Sequence, residues 1–195
     1  MSRGLGDVYK RQIQHSGSDR DMLERLLERV ARGDAEALGT LYEKTRGAVY
    51  GLTLSLLKNA HDAQDATQDT FVKIWEAAGS YRSMGSPMAW MLTIARNLAR
   101  IRLRQSARSG ELTEAEWEAI PAEAPAVTAE DRAVLQEALG ALEDAERQIV
   151  LLHASSGLKH REIAALLEMP LPTVLSKYHR ALKKMKLQLE GGDRP

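Results

Sequence analysis

Apolar residues recur every three to four positions along most of the chain, and Val/Ile/Thr runs with strict alternation are absent. That period predicts helices throughout and no sheet. The pattern becomes regular at Ser18. Leu23, Leu26, Leu27 and Val30 form one apolar stripe, with Ser18 or Asp19 as N-cap. Arg32-Gly33-Asp34 ends this helix and caps the next, whose stripe of Leu38, Leu41, Tyr42, Thr45, Val49, Leu52 and Leu56 runs to about Lys58. Asn59 to Asp62 reads as a turn carrying cap residues. A third helix to about Ala77 then turns Ala66, Phe71, Ile74, Trp75 and Ala78 inward. After a loop from Gly79 to Gly85, Ser86-Pro87 supplies an N-cap and a proline at the first helical position. The fourth helix is expected to bury Trp90, Met91, Ile94 and Leu98 and to carry Arg96, Arg100 and Arg104 on the other side.

Periodicity then lapses. Ser109 to Ala126 is acidic and contains Pro121 and Pro125, which is linker composition. Helical spacing resumes with Val134, Leu135, Ala138, Leu139 and Leu142, and again from about Asp144 with Ile149, Val150 and Leu152 up to Gly157. A short helix is predicted over His160 to Leu167. The turn Glu168-Met169-Pro170-Leu171 follows, and a last helix from Pro172 to about Leu189. The expected fold class is all-α: an N-terminal four-helix domain over residues 18–108, a flexible acidic linker over 109–126 and a C-terminal helical domain over 127–190. Residues 1–17 read as a disordered leader, of which MSRGLGDVYKRQ looks like a misread start or a non-native scar, and residues 191–195 read as a tail.

Charge sharpens this division. The formal net charge is zero, but it is unevenly spread. Arg96 to Arg108 holds five arginines and no acid, and Thr173 to Lys186 holds Lys177, Arg180, Lys183, Lys184 and Lys186 and no acid. Glu111 to Asp131 holds seven acids and no base. Two basic surfaces flank one acidic strap. There is no cysteine, so disulfides and thiolate zinc sites are excluded. The longest uncharged apolar run, Ala48 to Leu57, is too short to span a bilayer, and no apolar run follows the N-terminal basic residues. Cytoplasm is the expected compartment, and neither membrane insertion nor a cofactor is expected.

The C-terminal pair of unequal helices joined by a tight turn has the shape of a DNA-reading helix-turn-helix. Ile163, Ala164 and Leu167 would face Val174, Tyr178 and Ala181, with small Ala164 allowing close approach. Thr173, Ser176, Lys177, Arg180, Lys183 and Lys184 then point outward. Hydroxyls at the N-terminus can reach base edges while the lysines neutralise phosphates. The competing account is a solvated basic face on an ordinary bundle helix. In the first half, Asp62, Asp65, Gln68 and Asp69 share one helical stripe. Carboxylates early in a helix suit its dipole, and they also make a docking surface for a basic partner helix. His15, His61, His153, His160 and His179 show no metal-ligand spacing with carboxylates, and no nucleophile elbow, P-loop or dinucleotide fingerprint occurs, which argues against an enzyme.

The stretch ALEDAERQIVLLHASSGLKHREIAALLEMPLPTVLSKYHRALKKMKLQL resembles the region 4 domain of sigma factors of the extracytoplasmic-function (ECF) group, within the sigma-70 family. DAQDATQDTFVKIW and SPMAWMLTIARNLARIRLR, within Asp34 to Gln105, resemble region 2 of the same family. The resemblance implies a transcription initiation factor. Its partners would be core RNA polymerase, gripped at the clamp of the beta-prime subunit through Asp62, Asp65, Gln68 and Asp69, and promoter DNA. Duplex −35 DNA would be read by Ser176, Lys177, His179 and Arg180. Single-stranded −10 DNA would meet the loop Tyr81 to Ser86, Trp90 and Asn97, with Arg96, Arg100, Arg102 and Arg104 holding the backbone. Phe71 and Trp75 are expected in the core rather than at the clamp contact. The family also leaves room for an anti-sigma factor over these surfaces, and for an acidic linker that threads the polymerase cleft. Three positions depart from the family pattern: Glu168 stands where glycine is common, Leu175 where a base is common and Lys159 where a Ser or Thr cap is usual. The Glu168 departure argues against a left-handed turn residue there. The alternative reading is a stand-alone helix-turn-helix regulator that binds duplex DNA as a dimer.

Overall fold

The protein is described by a computed structural model covering residues 19–83, 86–109 and 137–191. The leader, the seven acids from Glu111 to Asp131 and the linker they begin in, Met84-Gly85, Val134, Leu135 and the tail lie outside the described residues. All described elements are helical. In chain order they are α1 (19–30), α2 (Ala35–Leu57), α3 (Ala60–Ala77), a 3₁₀ turn (Ala78–Ser80), α4 (Pro87–Ser109), the end of α5 (137–140), α6 (Asp144–Ser156), α7 (His160–Leu167) and α8 (Leu171–Gly191).

Local chemistry sets most boundaries. Gly33 takes φ +86°, and the Asp34 carboxylate accepts the Ala37 N–H at 3.0 Å to open α2. The N–H from Ala37, followed by its bonding to Arg29, holds the Asp34 carboxyl below the usual range. Asn59 caps α3 by accepting the Asp62 N–H, so this helix begins at Ala60, earlier than the predicted turn through Asp62. The Ser86 hydroxyl accepts the Ala89 N–H ahead of Pro87, as expected for α4. Gly157 ends α6 at φ +64°.

α1 to α4 form one bundle, with Leu27, Leu41, Leu52, Ile74, Met91 and Leu92 fully buried. Buried threonines satisfy their hydroxyls locally: Thr45 donates to the Leu41 carbonyl at 2.7 Å, and Thr53 and Thr67 hydroxyls meet at 3.1 Å between α2 and α3. Two expectations are corrected here. Trp75 is 38% exposed, because the buried face of α3 runs through Ala63, Ala66, Thr70, Phe71 and Ile74. On α4 the buried stripe is Met88, Met91, Leu92, Ala95 and Ala99, while Trp90, Ile94 and Leu98 are only half-buried. A broad apolar face allowed either rotation, and packing against α2 and α3 selected this one.

In the second half, Ala138, Leu139 and Leu142 are buried, and Arg147 turns back to donate to the carbonyls of Leu139, Gly140 and Leu142. α7 matches its predicted bounds. Leu166 is more deeply buried than the expected Leu167, and α8 opens at Leu171 rather than Pro172. The turn between them holds a further correction: Glu168 is left-handed, φ 55° and ψ 40°, despite carrying a Cβ. Its N–H and that of Met169 close α7 on Ala165 and Ala164.

The two halves pack together. α6 lies on α2 and α7 on α4, and Ile149, Leu152, Leu158, Ile163 and Val174 belong to the same apolar cluster as Leu41, Leu52 and Met91. Lys58 pairs with Asp144, and the Gln148 amide donates to the Ser55 hydroxyl at 2.9 Å across this seam.

Candidate functional site

The acidic stripe of α3 faces the C-terminal half of α4. Asp62 and Asp69 line a shallow groove with Leu98, Ile101, Arg102, Gln105 and Ser106. Arg102 crosses it, donating to Asp69 at 2.6 Å and lying 3.6 Å from Asp65. Burial alone would lower the Arg102 guanidinium, but the hydrogen bond and charge of Asp69, with Asp65 behind, hold it above its ordinary value. Arg102 therefore faces α3 rather than the DNA side it was expected to share with its neighbours. Gln68 is exposed on the same helix and does not line the groove. Val72 and Trp75 add exposed apolar surface to α3. A polar groove beside an apolar edge suits a partner helix carrying both kinds of side chain.

The N-terminal half of α4 carries the second group. The Tyr81 ring packs on Trp90 with centroids 5.2 Å apart, and its hydroxyl is buried without a hydrogen-bond partner. Burial, with the Glu24 carboxylate adding to it, raises the Tyr81 hydroxyl above its usual value. Tyr81 and Trp90 thus form one aromatic pair beside the start of α4. Asn97 and Arg104 are exposed, and Arg104 donates to the Arg100 carbonyl at 3.2 Å. Arg96 and Arg100 are engaged differently: both donate to Glu168 of the α7–α8 turn, at 3.0 and 3.3 Å. First the Arg96 hydrogen bond, then the charges of both arginines, hold the Glu168 carboxyl below its usual range.

On α8, Val174 and Ala181 are buried against α6 and α7. Ser176, His179, Arg180 and Lys183 are exposed and Thr173 is half-buried, which makes one polar and basic outer face. Part of this face is held by acids that sequence reasoning missed. Lys184 donates to Glu146 at 2.7 Å, Arg180 lies 3.9 Å from Glu146, and Lys177 lies 3.6 Å from Glu143. The Glu146 side chain is fully buried, yet its carboxyl is held below the usual range. Burial acts in the opposite sense and is outweighed by the Lys184 hydrogen bond, the Glu143 N–H and the charges of Lys184 and Arg180. The Glu-x-x-Glu spacing marks the start of α6 and gives no sign of a partner on α8. Next to Tyr178 the rings of His153 and His160 stack at 4.6 Å. Among the described residues, no group of three or more His or carboxylate side chains is placed to hold a metal ion, and no helix is long and apolar enough to cross a membrane.

These surfaces can be set beside known proteins. Residues 41–109 match the family model of sigma-70 region 2, and residues 132–185 match that of sigma-70 region 4. The ECF RNA polymerase sigma factor SigK of Mycobacterium sp. (strain KMS) is 30% identical over 172 residues, covering 84% of this chain and 89% of that protein. SigK of Mycolicibacterium vanbaalenii is 32% identical, covering 83% and 88%. The structure of CnrH in complex with the cytosolic domain of CnrY aligns with a TM-score of 0.58 at 25% identity, over 89% of this chain and 99% of that one. The sigma factor RpoE of Bartonella quintana, solved with the anti-sigma factor NepR, shares the fold with a TM-score of 0.59 at 24% identity, over 80% of this chain and 98% of that one. Two modules in the right order and relatives spanning nearly the whole chain identify it: the protein belongs to the ECF group of the sigma-70 family, RNA polymerase sigma factors that direct the core enzyme to promoters and promote strand opening there.

Proposed function

We propose that this sigma factor divides its work among three surfaces, on modules spanning residues 18–108 and 127–190 with the acidic segment 109–126 between them. The α3 stripe of Asp62, Asp65, Gln68 and Asp69 takes the basic helices of the beta-prime clamp. Tyr81, Trp90, Arg96, Asn97, Arg100 and Arg104 hold the non-template strand of the −10 element. Thr173, Ser176, Lys177, His179, Arg180, Lys183 and Lys184 lie along the major groove of the −35 duplex. The supporting observation is the outer face of α8, where hydroxyls precede exposed cations on one helix side.

The factor works in the cytoplasm, has no catalytic activity of its own and lends recognition to a polymerase that does the chemistry. The likeness to CnrH, solved in complex with the cytosolic domain of CnrY, supports a protein partner for this factor as well, an anti-sigma factor over the α3, α4 and α8 surfaces. Run-off transcription with core polymerase and a promoter library tests the reading directly. Transcripts from a defined subset of promoters, dependent on the added chain, are expected. Tight binding to a palindromic duplex without polymerase, and no stimulated transcript, would instead establish a stand-alone regulator.

A further inference from the structure

The turn that joins the two helices of the DNA-reading pair reaches across to the other DNA surface. Glu168 ends α7 in a left-handed conformation that a side-chain-bearing residue adopts reluctantly. From there one carboxylate oxygen accepts from Arg96 Nη1 at 3.0 Å and Arg100 Nη1 at 3.3 Å, and the other accepts from Arg100 Nη1 at 3.3 Å. A carboxylate shared between two guanidiniums presents what a nucleic-acid phosphate presents: paired anionic oxygens for a fork of N–H donors. The Arg96 side chain is only 12% exposed in this arrangement, so a DNA strand cannot reach it while α7 stays in place.

We propose that Glu168 is an intramolecular latch. In the free factor its carboxylate occupies the position on Arg96 and Arg100 that a −10 phosphate takes in the promoter complex, and region 4 must lift from region 2 before that strand is held. This rests on the reading that these two arginines face the DNA backbone. The latch is built to release. The Glu168 side chain is 61% exposed and that of Arg100 47%, so the bridge is screened and weak. What it controls is access rather than stability. The wider closure comes from the α2–α6 seam with its Lys58–Asp144 and Gln148–Ser55 contacts. Polymerase, by engaging the α3 surface and region 4 separately, would supply the work of opening that seam.

The chain has no cysteine, so cysteines introduced at exposed Glu43 on α2 and Arg161 on α7 can carry a fluorophore pair without background. Energy transfer in the full-length free factor reports closure. Binding of a labelled single-stranded oligonucleotide pool of mixed sequence reports access to the arginines, because phosphate contacts carry no sequence information. Glu168→Gln keeps the turn and removes the charge. It is expected to tighten oligonucleotide binding by between about two- and fivefold, the upper range for an exposed ion pair, with only a small fall in energy transfer because the α2–α6 seam remains. In an Arg96→Ala/Arg100→Ala background the same substitution should change binding by less than about twofold, since the latch then has nothing to cover. Unchanged binding in Glu168→Gln overturns the latch, whether or not energy transfer moves. If the double arginine variant binds the oligonucleotides and supports run-off transcription like the parent, the underlying reading of the arginines fails and the latch goes with it. If that variant loses both while Glu168→Gln matches the parent, the arginine reading stands and the latch alone is wrong.

Discussion

Arg102 on α4 donates to Asp69 on α3 across 2.6 Å, and so joins the helix proposed to hold promoter DNA to the helix proposed to hold polymerase. The carboxylates are already committed before any partner arrives. A clamp helix with its own cations must share them with Arg102 or displace it.

Neutralising both carboxylates, Asp65→Asn with Asp69→Asn, should weaken association with core polymerase by on the order of tenfold and flatten its dependence on salt. Fluorescence anisotropy of the labelled factor against core enzyme, over a series of salt concentrations, measures this. An unchanged affinity would remove α3 from the polymerase surface.

Removing Glu146 should be costly because it serves two roles. It accepts the Glu143 N–H at the start of α6 and bonds Lys184 from a fully buried position. Glu146→Ala is expected to destabilise the protein by about 1–3 kcal/mol, the usual penalty for stranding hydrogen-bond and charge partners. Urea unfolding followed by circular dichroism reads the change. Glu143→Ala, on an exposed side chain 3.6 Å or more from its lysines, should cost far less.

Lys58 ends α2 with φ 56°, a backbone that glycine adopts freely. Lys58→Gly should stabilise the fold by about 1 kcal/mol, less whatever the exposed Asp144 bridge contributes. Lys58→Ala keeps the strained backbone and loses the bridge, so it should gain nothing. A higher urea midpoint for the glycine variant alone is the expected result.

His160 stacks on His153 beneath Tyr178, and its Nε2 is buried without a partner. Burial first, then the positive charges that His153 and His179 can carry, lower its pKa from the ordinary value of 6.5. The unfolded chain therefore binds a proton at a pH where the folded chain does not. Stability should be full above about pH 6.5, fall as pH drops below it, and level off under the depressed folded value. Thermal melts between about pH 7.5 and 5.5 should show this slope, and His160→Gln should flatten it. A variant with the parental slope would assign the pH dependence elsewhere.

Exposed Lys183 and half-buried Lys184 of α8 should separate in DNA binding. Lys183→Ala, on an exposed position, is expected to reduce the salt slope of −35 duplex binding by about one. Lys184→Ala should combine that effect with lower stability, since it leaves the buried Glu146 carboxylate with the Glu143 N–H but without the lysine at 2.7 Å.

Helix existence was legible from apolar spacing alone, as α7 shows with its bounds at His160 and Leu167. Turn chemistry marked Asp34, Asn59, Ser86 and Gly157 without any tertiary information. The finer rotation of α3 and α4 was not legible: Trp75 and Met88 each lie where a broad apolar face tolerates two orientations, and neighbouring helices decide between them. Glu168 was read against left-handed backbone by local propensity, which the backbone hydrogen bonds that close α7 on Ala164 and Ala165 override. Glu143 and Glu146 were invisible as partners of α8 because the pairing spans nearly forty residues of sequence. Local patterns report what a residue prefers, and long-range ion pairs report what the fold makes of it.

The self-pairing of the cationic helices has a consequence for the factor's life in a crowded nucleoid. Any protein with bare rows of arginine and lysine is held by the vast excess of unspecific chromosomal sites, since released counterions favour that capture whatever the sequence. A chain that pairs Lys184 with Glu146 and Arg96 with Glu168 offers fewer bare cations to such trapping. Opening of the Glu168 bridge on polymerase would return those arginines to DNA only where the factor and the enzyme act together.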